Sequence, residues 1–572
     1  MITAAEMREV DRLTTEQYAT PSLILMETAA AASARAIEDR LTRGVAGKTI
    51  LILCGRGNNG GDGAALARAL CLRGAFVDAV LFGHVEDAKG DARTNFEIVR
   101  SLSNDDTGFA SPTNPKRLDF APVAHSGSLS FIECQSEEDW GQSLCFGFQG
   151  TPDVLIDALF GTGLTRPLSG LHAEVVGYIN RFRELRESGE NERPLVVSLD
   201  LPSGLNADSS HLQGETVRAD LTVTFTAPKP ANVLPPAARY NGELVVADIG
   251  SPLSLLESST SQLYFLESME ARAWLDQTRY TPASYKNTHG HALVIAGSRQ
   301  FSGAAVLCGD AAMCSGAGLV TVATPESAIT AVASRLMPEV MTAALPETDA
   351  GAVSAEADEA VAQLAKRAQV VAIGPGLSSV EESTRRFVRA VVEKRVAPLV
   401  VDADGLNALA PWPEELRGTP ELPLILTPHE GEMRRLLGIK ADNRDALAAD
   451  RAGAAREFAV RQQLILVLKG ERTLVAAPDG RVFINPTGNA GLGTAGAGDT
   501  LTGIITGFLA QSYGTLAEQA DPLLATLAAV YLGGLAGDKA AQAIGLRAMT
   551  ASAIRAHLGA AFRALDPFGE SP

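Results

Sequence analysis

The sequence has no C-x-x-C pair, no apolar signal core, few aromatics and no apolar run long enough to span a bilayer. Each absence removes a class of protein. Six cysteines without paired spacing (Cys54, Cys71, Cys134, Cys145, Cys308 and Cys314) do not make a disulfide framework. Cys54, Cys71 and Cys308 stand in apolar stretches, where a buried free thiol is the plain expectation. Residues 1–11 carry Glu6, Arg8, Glu9 and Asp11 where a signal peptide would be apolar. The longest apolar run, Leu523 to Gly537, falls short of a membrane span and ends at Asp538. An excess of positive charge is missing too. The net charge of −18 repels nucleic-acid backbones and anionic membranes. A small anion can still be held by local N–H groups. The expectation is a soluble, cytoplasmic protein with neither nucleic acid nor membrane as partner.

What is present reads as globular α/β protein. The 572 residues are too many for one core and suggest two to four domains. Residues 4–40 have helical spacing that breaks at Pro21. Short apolar strands then follow at Ile50–Cys54, Val77–Phe82, Val154–Ile156, Leu195–Leu199, Leu221–Phe225 and Leu244–Val246, mostly with helical segments between them. That alternation predicts a mostly parallel sheet. Residues 101–150, rich in Ser, Asn, Asp and Pro, read as a surface excursion with one strand at Leu129–Cys134. The pattern changes after Asp248, and the linker is expected near Pro252–Gln262. A second strand series runs from Ala292–Ala296 through Leu319–Ala323, Val370–Ile373, Leu399–Val401, Leu424–Leu426, Ile465–Leu468 and Thr473–Ala476 to Val482–Ile484.

In open parallel sheets ligands bind at the carboxyl ends of strands, so the residues at the strand exits are where chemistry is expected. The first strand runs into Gly55-Arg56-Gly57-Asn58-Asn59-Gly60-Gly61-Asp62-Gly63 and a helix. Glycines there let the backbone approach a ligand, and the helix start offers N–H groups to phosphate. Asp157 ends a later strand and opens Gly161-Thr162-Gly163-Leu164-Thr165-Arg166-Pro167, a second anion loop with Arg166 as a charge partner. Asp200-Leu201-Pro202-Ser203-Gly204 ends the next. A carboxylate there suits acid/base work or simply caps a turn.

The three motifs, in this order on successive strands, resemble the N-terminal domain of the nicotinamide-hydrate repair family. The resemblance covers about residues 1–250, and it implies an epimerase that interconverts the R and S forms of hydrated NADH and NADPH. It implies that Asn58, Asn59, Gly60, Gly61 and Asp62, together with Gly161 to Pro167, hold the substrate. It further implies that Asn59, Asp157 and Ser203 bind potassium, and that Asp200 contacts the reacting ring and moves the proton. Hard oxygen donors suit such a cation. One departure is Glu27-Thr28, where the family usually shows Asn after the Glu.

In the second half, Gly496-Ala497-Gly498-Asp499 precedes an apolar helix. Free N–H groups at that start can neutralise a transferring phosphoryl group, and Asp499 can take the proton of an attacking hydroxyl. The plainer alternative is an Asp capping a helix. The motif resembles the ribokinase-like superfamily. So does Thr427-Pro428-His429-Glu430-Gly431-Glu432, with His429 in place of the usual Asn, and Lys469-Gly470-Glu471-Arg472-Thr473. Gly297-Ser298, Phe301 to Ala305, Ile373 to Leu377 and Asp402 to Asn407 narrow the resemblance to the hydrate dehydratase branch, over about residues 270–565.

That branch phosphorylates the ring hydroxyl with ADP and Mg2+, and loss of phosphate regenerates NADH or NADPH. The resemblance assigns Ala304, Gly376, His429 and Asp499 to the hydrate. It assigns Lys469, Gly470, Glu471, Arg472, Thr473 and Gly498 to the adenine nucleotide. Ala495 and Ala497 stand where relatives often carry Gly and Thr. The implied architecture is α/β with two domains: a Rossmann-like three-layer α/β/α sandwich over 1–255 and a ribokinase-like α/β/α domain over 262–572. The competing reading is a ribokinase-like small-molecule kinase joined to a non-catalytic ligand-binding domain. Oligomeric state, a homo-oligomer included, is left open.

Overall fold

The computed structural model describes residues 1–104, 127–142, 151–184, 194–257, 260–439, 447 and 450–566. Cys145, most of the 101–150 excursion and part of the expected linker lie outside them. The chain divides into two compact units, Met1–Ser261 and Gln262–Pro572.

The first unit is built on seven parallel strands: β1 (Thr49–Cys54), β2 (Phe76–Phe82), β3 (Ser128–Cys134), β4 (Val154–Ala158), β5 (Leu195–Leu199), β6 (Leu221–Phe225) and β7 (Glu243–Ala247). Their order is β3-β2-β1-β4-β5-β6-β7. Strand β1 shows why the run is continuously apolar. Ile50, Ile52 and Cys54 enter one core with Leu66 and Phe96, whereas Leu51 and Leu53 enter the opposite core with Val175 and Ile179. A strand whose side chains alternate between two buried faces needs apolar residues at every position. The chain reverses direction across the sheet at β1, which pairs with both β2 and β4. The crevice between their exits is where an open α/β sheet takes its ligand.

The first helix, Ala4–Tyr18, opens with a capping box between Thr3 and Glu6, and the second, Ser22–Glu38, begins at Pro21. Cys54, Cys71, Cys134 and Cys308 are buried free thiols.

The second unit holds ten strands: β8 (Leu263–Phe265), β9 (His291–Ile295), β10 (Leu319–Pro325), β11 (Met341–Leu345), β12 (Val370–Ile373), β13 (Leu399–Val401), β14 (Leu424–Leu426), β15 (Ile465–Leu468), β16 (Leu474–Ala476) and β17 (Val482–Ile484). The order is β11-β10-β9-β12-β13-β14-β15-β16-β17-β8, with β16 antiparallel to both neighbours. Two strands escaped the sequence reading. Edge strand β11 is only partly buried, and β8 has three residues, so neither gives a clear apolar run. Helices Ser302–Cys314, Ala497–Leu516 and Pro522–Ile544 share one core with Trp274, whose ring stacks 3.9 Å from that of Phe508.

The apolar run at Leu523 is longer as a helix than as a sequence segment. Pro522–Ile544 has 23 residues and is long and apolar enough to cross a membrane by length and composition, which corrects the expectation above. Asp538 does not end it, because the helix carries on to Ile544. Of its apolar window, 67% is buried inside the protein, as in the core helix of a folded domain.

Candidate active sites in the two units

Strand β1 leads through Gly57 into the helix Asn58–Leu72. Gly60 lies against the Gly55 carbonyl with no room for a side chain, and a Cβ on Gly61 would sit 2.8 Å from that of Ala92. These two glycines seat the helix start deep in the sheet exit. Gly163, in contrast, has nothing within 4 Å of where a side chain would begin. A cavity of about 530 Å³ opens above this turn, and its wall includes Asn58, Asn59, Asp62, Asp200 and residues Gly161 to Leu164. Thr165, Arg166 and Pro167 are exposed and lie off that wall, and Gly60 and Gly61 lie beneath it.

Asp200 follows β5 with φ +62°, a left-handed conformation that costs a non-glycine residue roughly 1–2 kcal/mol. Its surroundings hold it there. The Asp200 N–H donates to Val223, and Asn232 donates to the Asp200 carbonyl. One carboxylate oxygen accepts from Lys229 Nζ at 2.6 Å and Thr224 Oγ1 at 3.2 Å, and the other from the Thr162 N–H at 3.3 Å. Lys229 is fully buried and also donates to Thr224 Oγ1 and the Phe225 carbonyl.

Asp157 is buried behind this wall. It accepts from Ser203 Oγ at 2.6 Å, the Ser203 N–H at 2.8 Å, Ser198 Oγ at 2.8 Å and the Leu159 N–H at 3.3 Å. Burial raises its pKa against those four donors. Ser203 Oγ also lies 3.2 Å from the Phe160 carbonyl. The Asn59 amide is buried, and neither its oxygen nor its nitrogen has a protein partner. Hard oxygens from Asn59, Asp157, Ser203 and Phe160 are the donor types an alkali cation takes, and the unsatisfied Asn59 amide fits one.

Two groups on this wall were missed in the sequence. Lys229 follows β6 in Pro228-Lys229-Pro230, a strand exit like the others, and could have been found the same way. Asp11 lies on the first helix, far from every motif, and only the tertiary fold brings it to the cavity. Burial pushes its carboxyl up to about 6, with Lys229 pulling it down and Asp200 pushing it further up. Asp62 is raised well above the carboxylate range, by burial first and then by Asp200 and Asp11.

In the second unit Gly496, with φ +81°, turns the chain into the helix Ala497–Leu516. A cavity of about 680 Å³ is lined by Lys469, Gly470, Glu471, Arg472, Thr473 and Gly498, the whole set expected for the nucleotide. Asn485 to Ala490 complete a wall the sequence reading did not include. There Asp538 accepts from the Gly488 N–H at 2.9 Å and from Asn489 Nδ2 at 2.8 Å.

Ala304, Gly376, His429 and Asp499 lie off this wall. Gly376 packs on Ala304, with 2.8 Å between that Cβ and one placed on the glycine. They belong to the exits of β12 and β9, the point where strand order reverses in this sheet. His429 caps the helix Glu430–Leu436, where Nδ1 accepts from the Gly431 and Glu432 N–H groups.

Between the two sets stands Lys469. Its ammonium lies 2.7 Å from buried Asp402 and 3.9 Å from Glu432. Asp402 also accepts from Thr502 Oγ1 at 2.7 Å. Burial alone would raise the Asp402 pKa and lower that of Lys469, but their attraction, joined by the Thr502 hydroxyl at Asp402 and by Glu432 at Lys469, tips both the other way, so the pair is ionic. Asp499 is pushed up to about 6, by burial first and then by Asp402, with Lys469 opposing.

Each unit thus sets a helix start beside a charged aspartate–lysine pair at the exits of a parallel sheet, which defines two nucleotide-handling enzyme domains in one chain. Two family models match: "YjeF-related protein N-terminus" over residues 22–231 and "NAD(P)H-hydrate dehydratase" over 292–558. The bifunctional NAD(P)H-hydrate repair enzyme of Moorella thermoacetica is 39% identical, covering 96% of this chain and 94% of its own. That of Thermofilum pendens is 36% identical, with 99% and 97% covered. Among solved structures, the ADP/ATP-dependent NAD(P)H-hydrate dehydratase of Bacillus subtilis, co-crystallised with ATP/Mg2+, is 33% identical with TM-score 0.45, covering 54% of this chain and all of its own. The chain belongs to the family of bifunctional NAD(P)H-hydrate repair enzymes, which join an epimerase to a dehydratase.

Proposed function

We propose that residues 1–255 epimerise the R and S hydrates of NADH and NADPH at the cavity holding Asp200, and that residues 262–572 dehydrate the S form with ADP. The observation that carries this is a strand-exit cavity in each unit, each beside an aspartate–lysine ion pair. The pairing makes chemical sense. A dehydratase specific for one epimer strands the other, and an epimerase in the same chain recovers it.

In the dehydratase, Asp499 takes the proton of the ring hydroxyl as that oxygen attacks the terminal phosphoryl group. The N–H groups from Gly498 and the Lys469 ammonium meet the charge on the phosphates. AMP departs. The phosphorylated oxygen then leaves as phosphate, expelled by the ring nitrogen's electron pair, and the resulting carbon–nitrogen double bond gives way to the dihydronicotinamide ring as the neighbouring ring carbon loses a proton to water. Mg2+ would accompany the nucleotide and neutralise phosphate charge. Ala304, Gly376 and His429 orient the hydrate, and Lys469 to Thr473 hold the nucleotide.

In the epimerase, Asn58, Asn59 and Asp62 together with Gly161 to Leu164 line the cavity that takes the substrate, and Asp200 moves the proton. Potassium would be held by Asn59, Asp157 and Ser203, supported by the unsatisfied Asn59 amide. The enzyme acts on dinucleotides of the cytoplasm.

The test mixes the purified chain with hydrated NADH and ADP and records the return of near-ultraviolet absorbance, with potassium and with sodium. ADP-dependent recovery that consumes both epimers in potassium is expected. A stable phosphorylated product with no recovery would establish the kinase alternative instead.

A further inference from the structure

We infer that Asp11 is the general acid of the N-terminal site, protonating the departing ring hydroxyl of the hydrate while Asp200 receives the proton of the water that replaces it. The inference rests on the epimerase reading above and names a group that no motif in the chain points to.

The geometry carries it. Asp11, Asp62 and Asp200 all lie on the wall of one cavity, and Lys229 is the buried ammonium among them. Lys229 is committed to Asp200 at 2.6 Å and spends its remaining contacts on Thr224 and Phe225. Three negative charges cannot share one such cation in a desolvated wall. Lys229 is spent on Asp200, so the Asp11 carboxyl, which burial raises to about 6, is left without a cation of its own and is the group able to carry a proton to the substrate. Asp11 Oδ1 is buried and has no hydrogen-bond partner in the protein, so nothing in the fold uses it. A buried polar atom without a partner calls for an explanation, and a substrate hydroxyl supplies one. The first helix holds the residue rigidly, since its Met7, Val10 and Thr14 are buried on either side. A carboxyl raised by burial, set in one cavity with a second carboxyl held by an ammonium, is the arrangement of an acid facing its complementary base.

The step balances. In the hydrate the hydroxyl sits on the carbon next to the ring nitrogen. A proton passes from Asp11 to the hydroxyl oxygen, the carbon–oxygen bond breaks with its electron pair, and water leaves. The nitrogen's lone pair closes a carbon–nitrogen double bond, making that carbon planar. Water adds to the opposite face, its proton goes to Asp200, and exchange between the two carboxyls restores both. Nothing is oxidised or reduced.

The test uses the full chain without ADP, so that the dehydratase is silent, and follows conversion of purified R hydrate to S by chromatography. For Asp11→Asn the expected result is a kcat reduced about a hundredfold or more, with KM and melting temperature unchanged. Asp11→Glu, which keeps an acid, should restore most of the loss. Full kcat in Asp11→Asn would overturn the assignment. So would a loss that merely follows a lowered melting temperature, or a loss confined to Asp62→Asn. If the wild-type chain does not interconvert the epimers, the epimerase reading itself fails, and that outcome is distinct from failure of Asp11 alone.

Discussion

The ammonium of Lys469 lies 2.7 Å from the carboxylate of Asp402 and 3.2 Å from where a side chain on Gly498 would begin. One buried charge thus touches both the aspartate after β13 and the helix start at Gly498 on the same cavity wall. Lys469 joins the strand exit to the helix start on the wall of the second cavity.

Replacing Lys469 with Met should remove about 2.7–4 kcal/mol of stabilisation from the transferring phosphoryl group, a loss of roughly a hundredfold or more in dehydratase kcat. It also strands Asp402 as an unpaired buried charge, which costs about 3–5 kcal/mol of folding stability. Dehydration assays and urea unfolding separate the two effects. Epimerisation of R hydrate by the same protein should be unchanged.

Because burial raises Asp499 to about 6, its base form is lost as pH falls through that value. Dehydratase kcat should therefore climb between about pH 5 and 7 and level off above. A flat profile across that window in single-turnover experiments would remove Asp499 as the base.

For Asp200→Asn, epimerase kcat should fall by about 10²–10⁴-fold while dehydration of purified S hydrate continues at the wild-type rate. Lys229 then loses its one carboxylate partner and is left with neutral acceptors in a buried setting, so the N-terminal unit should also lose stability. Full epimerase activity in this variant would refute the role of Asp200.

Gly60 and Gly163 belong to neighbouring motifs but should respond differently to alanine. At Gly60 the new methyl would run into the Gly55 backbone, which cannot rotate away, and overpacking of this kind costs about 1–3 kcal/mol or more. At Gly163 there is open space, so Gly163→Ala should melt like the wild type and change only KM. Thermal unfolding of the two variants side by side tests the contrast.

Potassium should act on one half alone. Exchange for sodium is expected to slow epimerisation and leave dehydration of S hydrate untouched, and Asn59→Ala should abolish the difference between the two salts. Equal effects on both activities would argue against a cation at Asn59.

Local physics made much of this molecule legible before any coordinates. A strand buried on both faces must be apolar throughout, so β1, β4 and β12 stand out as runs. A helix start seated against a sheet exit needs glycine, so Gly60 and Gly496 mark those turns. The same logic led to Asp200, which directly follows β5 and opens its own motif, and to Asp499, which closes the glycine-rich turn before its helix. Three-residue β8 and half-exposed β11 carry too few apolar positions to announce themselves. What the tertiary structure alone decided are the encounters between distant segments: Asp11 with the pocket of Asp200, Lys229 with that same carboxylate, Asp402 with Lys469. A charge's neighbours in a desolvated interior come from separate elements packed together. Its protonation therefore follows from the fold and is not written in the residues beside it.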